Sequence, residues 1–157
     1  MPRIEGRDGM TTEPIITELR LPTRLGFEKV AMSTAASVAE IMGFSVDRVE
    51  DLKTAVSEAC INAIEHGNQL NELLGVVVTL SMGSASLEVK IRDHGPGVHN
   101  EMHIPDMDRK MLGEEDPRGM GMFLIQALVD EVEYVSEISG GGSYARLVIH
   151  LNVGNKD

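Results

Sequence analysis

Apolar positions change period several times along the chain, and each change marks a new element. Ile15–Leu21 (IITELRL) alternates and predicts a first strand, closed by Pro22. From Leu25 to Met42, Phe27, Val30, Ala31, Ala35, Val38, Ala39 and Met42 recur at helical spacing, and Gly43 ends the run. Ser45 is placed to cap a second helix, Val46–His66, with Gly67 as its stop. Val76–Met82 and Leu87–Arg92 alternate around GSAS, which predicts a hairpin. His94–Arg118 has no sustained period and reads as a long loop, of the kind that in a compact domain is usually functional. Helical spacing returns over Gly119–Val132. Glu133–Ile138 and Ser143–Leu151 predict a second hairpin around SGGGS.

The predicted order is β-α-α-β-β-loop-α-β-β, with no internal repeat. Hairpins pair their strands antiparallel, and three amphipathic helices need one apolar surface to cover. The expected fold is α+β: a two-layer α/β sandwich with three main helices on one face of a mixed, mostly antiparallel sheet.

Three stretches carry chemistry within this frame. On the second helix Val49, Leu52, Val56, Ala59, Cys60, Ala63 and Ile64 form an apolar stripe at about 100° per residue. Glu58 and Asn62 project together from the opposite side, while His66 drifts to the stripe edge. They are either a solvated face or a carboxylate base beside a neutral oxygen ligand for a hard cation. Asp93 shares strand parity with Leu87, Val89 and Ile91, so it points inward and needs a donor such as an exocyclic amine; alternatively it caps a polar turn. Gly95 and Gly97 after it permit close backbone approach to a flat base. Arg118-Gly119-Met120-Gly121-Met122 opens the last helix, where free amides and the helix dipole suit phosphate oxygens; the alternative is a Gly-rich start to a packed helix.

Composition narrows the classes. Three Phe, two Tyr and no Trp leave an aliphatic core, and a net charge of −11 argues against direct nucleic-acid binding or docking on anionic membranes. It suits a basic partner. One cysteine, Cys60, on the apolar stripe, predicts a buried, unreactive thiol and a reducing, cytoplasmic setting. Residues 1–9 contain IEGR and resemble a protease-recognition remnant of an expression tag; residues 10–157 are expected to form one domain.

EACINAIEHGN, DHGPG and RGMGMFLIQALVDEV resemble the N, G1 and G2 boxes of the GHKL ATPase/kinase superfamily. ELRLP, DLKTAVSEACINAIEH and GMGMFLI with DEV resemble, more narrowly, the anti-sigma factor serine-protein kinases of bacterial partner-switching systems, from about Glu18 onward. The resemblance implies a Bergerat-type ATP-binding fold. It implies Glu58 as general base, Asn62 on Mg²⁺, Asp93 on the adenine amine, Gly95 and Gly97 shaping the base pocket, and His94–Arg118 as an ATP lid. Arg118, Gly119, Met120, Gly121 and Met122 would form the phosphate side. It further implies two partners, a sigma factor and a STAS-domain anti-anti-sigma protein phosphorylated on Ser or Thr, and a homodimer as the common assembly.

Met122-Phe123 stands where histidine kinases carry a third glycine, which agrees with the anti-sigma group. The lid's cations are only Arg109, Lys110 and Arg118, so phosphate neutralisation would lean on Mg²⁺ and Arg118. Sensor histidine kinases are disfavoured because no helix with a phosphoacceptor histidine precedes the domain. Gyrase- or chaperone-type ATPases are disfavoured because no second domain supplies a lysine. The alternatives are a switch kinase acting on a STAS scaffold, and a nucleotide-gated binding module without transfer. His66 is expected to be a packed, hydrogen-bonded helix-end residue, and the methionines at 102, 107, 111, 120 and 122 lid and core packing.

Overall fold

Alternation of apolar residues builds the sheet. The computed structural model describes residues 13–95, 117–137 and 142–151, with residues 117–119 described by their backbone. Among the described residues five strands lie in the order β1-β2-β3-β5-β4: β1 Ile15–Pro22, β2 Gly75–Met82, β3 Ser86–Asp93, β4 Glu131–Ser136 and β5 Ser143–His150. Each pairing is antiparallel, so the expected mixed, mostly antiparallel sheet is antiparallel throughout these strands. On one face Val76, Val78, Leu80, Leu87, Val89, Ile91, Leu147 and Ile149 are all at most 2% exposed. The other face is polar: Arg146 pairs with Glu88 and approaches Glu131 and Glu133, and Lys90 and Arg92 flank the Tyr144 ring.

The helices cover the apolar face. They are α1 Glu28–Met42, α2 Val46–Asn62 and α3 Pro117–Leu128. The central one is α2, packed against both others. Its stripe is fully recruited: Leu52, Val56, Cys60 and Ile64 are 0% exposed, each large aliphatic contributing roughly 1.5–3 kcal/mol of burial. Burial pushes the Cys60 thiol up to about 12, with the Glu28 charge adding to it, so it stays protonated.

Boundaries moved where backbone geometry competed with periodicity. α1 begins at Glu28 rather than Leu25, because Gly26 sits at φ +110° and cannot continue a right-handed helix. Gly43, at φ +97°, ends it, and Ser45 caps α2 through Arg48 N–H at 3.2 Å. α3 stops at Leu128 instead of Val132, and β4 runs over 131–136 instead of 133–138. Asp130 makes that turn: its N–H donates to Val148 O, and its carboxylate accepts from His150 N–H and Arg48 Nη2. Among the described residues no helix is long and apolar enough to cross a membrane.

Candidate functional site

α2 changes its winding at Ala63. Asn68 N–H donates to Ala63 O at 2.8 Å, a five-residue span, and Ala63–Gly67 forms one π-helical turn. The wider turn brings Gly67 against Asp93, where a methyl group on Gly67 would overlap the carboxyl group. Gly95 and Gly142 complete a clasp. A methyl on Gly95 would overlap the Gly67 carbonyl, and one on Gly142 (φ +91°) the Asp93 carbonyl oxygen.

Asp93 ends β3 on the face of Leu87, Val89 and Ile91 and is 6% exposed. Burial pushes its carboxyl above the usual carboxylate range. Backbone hydrogen bonds from Gly95, at 3.2 Å to Oδ1, and from Ser143 pull it partway back, as do the His94 and Arg92 charges. Asn68 holds the neighbouring turn. Its Nδ2 donates to Thr23 Oγ1 (2.8 Å) and Gly75 O (3.0 Å), and its Oδ1 accepts from His94 N–H (2.8 Å).

The other end of the site is made where α3 crosses α2. A methyl on Gly121 would stand 2.7 Å from Glu58 Oε1 and 3.7–3.8 Å from the two amide atoms of Asn62. The sequence placed Gly119 and Gly121 together at a helix start. The helix begins at Pro117, however, so Gly121 lies a turn inside and its lack of a side chain admits Glu58. Arg118, Gly119 and Met120 occupy the first turn, where backbone N–H groups lack partners within the helix. Met122 turns inward, 5% exposed, and Met120 outward. Gly97 and the body of the expected lid, 96–116, lie outside the described residues, as does the Arg118 side chain.

Between these ends runs a partly open cleft whose empty space, open solvent included, is about 480 Å³. Ala145 forms its floor between Ile91 and Tyr134, which flank it in the sheet register, and Ala59 and Ala63 face it from the helix. Two of the residues that line it each carry a buried polar atom with no hydrogen-bond partner among the described residues, Asn62 Nδ2 and Tyr134 Oη. His66 lines the cleft half-buried, with Glu65 Oε1 3.8 Å from its Nε2, so the hydrogen bond expected for it does not form with that residue.

Of the expected site residues Asn62 and Asp93 line the cleft, Gly121 and Glu58 meet beside Asn62, and Gly95 packs on Gly67 beside Asp93. Sequence reasoning missed Asn68, the packing role of Gly67, Gly142 and Tyr134. An amide directly after the helix stop was a legible signal for Asn68; nothing local distinguished Tyr134.

Residues 21–149 match the family described as the histidine kinase-like ATPase domain. The chain belongs to that family. The chain is 34% identical over 123 residues to the serine-protein kinase RsbW of Oceanobacillus iheyensis, covering 74% of this chain and 76% of that one. It is 32% identical over 126 residues to RsbW of Bacillus subtilis, covering 73% and 74%. It falls in the serine-protein kinase branch of the family. The crystal structure of the RsbU and RsbW domains of Rv1364c from Mycobacterium tuberculosis superposes with a TM-score of 0.62 at 18% identity. It covers 87% of this chain and 32% of that longer one, a likeness of fold.

Proposed function

We propose that the chain transfers the γ-phosphoryl group of ATP to a serine or threonine of a STAS-domain anti-anti-sigma protein, and alternately sequesters a sigma factor. The observation that carries the reading is the contact of Gly121 with Glu58 and Asn62, which sets the start of α3 beside a carboxylate and an amide at one end of the cleft. At the other end Asp93 is buried and offers its carboxylate where an adenine amine would donate. The aliphatic walls at Ala59, Ala63 and Ile91 suit a flat base.

Asn62 fits a magnesium ion. Its amide is buried with an unanswered polar atom, and a rotated amide presents Oδ1, a neutral hard donor, at the same place. When bound, Mg²⁺ would neutralise phosphate charge. Glu58 would accept the proton of the attacking hydroxyl, and the first-turn amides of α3 would orient the phosphate oxygens.

Expression of the protein with a STAS-domain acceptor, Mg·ATP and intact-mass readout tests this. Wild type should add one phosphoryl mass to the acceptor. Glu58→Gln should slow transfer by roughly 10²–10⁴-fold while ATP binding holds. Unchanged transfer in that variant would remove Glu58 as the base.

A further inference from the structure

We infer that Tyr134 is a base-reading residue of the cleft, its hydroxyl donating to a ring nitrogen of the purine. The inference rests on the proposal that the cleft binds ATP. Tyr134 lies on β4 directly across Ala145 from Ile91, one row below the row that holds Asp93, Ser143 and Ser136. Two strand spacings and two residues separate Tyr134 from Asp93, about 12 Å between Cα atoms. Two side chains pointing into the cleft across that gap leave room for a flat bicyclic base with a hydrogen bond at each end. Ala145, the small residue between them, keeps the floor clear.

The hydroxyl is buried and without a partner among the described residues, an uncommon state for a phenol in a protein interior. The groups that do find partners nearby exclude the bland alternatives. Ser143 Oγ donates to Ser136 Oγ, and Asp93 is engaged by Gly95 and Ser143, so none of them is turned to the tyrosine. Burial also keeps the phenol protonated, with its pKa up to about 12, so it remains a donor at any physiological pH. An adenine whose exocyclic amine donates to Asp93 still carries ring nitrogens that only accept. Tyr134 supplies the matching donor. The carboxylate accepts at one edge of the base and the phenol, which can also accept, donates at another.

The test is calorimetric binding of ATP and of ATP analogues lacking one ring nitrogen at a time, to wild type and Tyr134→Phe. The variant should bind ATP roughly 3- to 10-fold more weakly. That deficit should vanish for one of the deaza analogues and persist for the others. Without nucleotide, Tyr134→Phe should melt at the same or a higher temperature, since it removes an unanswered hydroxyl; a packing role predicts a lower one. Wild-type affinity for ATP in Tyr134→Phe, or a deficit equal for every analogue, overturns the inference and leaves the ATP site intact. Failure of wild type to bind any adenine nucleotide overturns the proposed function itself, and the inference with it.

Discussion

Gly121 shows two opposed effects meeting in one side chain. Alanine inside a helix is favoured over glycine by about 0.8–1.0 kcal/mol, yet a methyl here would stand 2.7 Å from Glu58 Oε1. The clash is with the far end of a flexible side chain, which can swing aside. Gly121→Ala should therefore unfold in urea at the same or higher midpoint, while phosphoryl transfer drops about 10²-fold because the carboxylate is displaced. Asp93 carries a second residue-scale prediction. Its folded pKa lies above the ordinary 3.8, so between those two values the native state holds more protons than the unfolded one. Stability contributed by this group is then present at low pH and lost as pH rises through the folded value. Urea titrations between pH 4 and 8 should show Asp93→Asn gaining on wild type across that window; a gap independent of pH would contradict the assignment.

At the scale of elements, the π turn at Ala63–Gly67 is the joint that makes the site. An uninterrupted α-helix would carry Gly67 along a different direction, away from Asp93 and Gly95. Asn68 locks the joint by tying the end of the turn to Thr23, Gly75 and the His94 amide. Asn68→Ala leaves the His94 N–H without its acceptor, while Thr23 Oγ1 keeps Leu74 O and Gly75 O keeps His94 Nδ1, and should cost about 1–3 kcal/mol by chemical denaturation. The loss should be accompanied by weaker nucleotide binding, because the Asp93–Gly95 turn loses its support. Glycine at 142 has a different reason, a left-handed φ of +91° together with contact to the Asp93 carbonyl.

For the whole molecule, nucleotide binding and folding are linked. The cleft draws on α2, β3, β4 and β5, so a ligand that fills it ties the helical layer to the sheet. ATP with magnesium at about 100 times its Kd should stabilise the fold by roughly 2.7 kcal/mol, a rise in Tm of about 5–10 °C for a domain of this size. Differential scanning fluorimetry reads this directly, and chelation of magnesium should shrink the shift. GTP at the same concentration should give a smaller rise, since its 6-oxo group opposes the Asp93 carboxylate. The excess of Asp and Glu over Lys and Arg, 25 against 14, adds an electrostatic expectation for the partner: its docking face is basic, and association slows as salt is raised.

Local pattern determined much of this protein before any tertiary contact is considered. Period-two runs set the strands, 3.6-residue periodicity set α2 and its buried stripe, and the positions of Ser45 and Gly43 set its cap and its neighbour's end; each depends on interactions within a few residues. The parity of Asp93 with Ile91 was likewise legible, because alternation along a strand decides which side a residue faces. Tertiary structure decided what depends on distant partners. The switch from α to π winding, the early stop of α3 at Asp130, the use of Gly121 as a socket for Glu58, and the convergence of Gly67, Gly95 and Gly142 on one carboxylate all require segments far apart in the chain to be packed first. Tyr134 belongs with them: a tyrosine on a strand is ordinary, and only the cleft across Ala145 leaves its hydroxyl buried and unanswered.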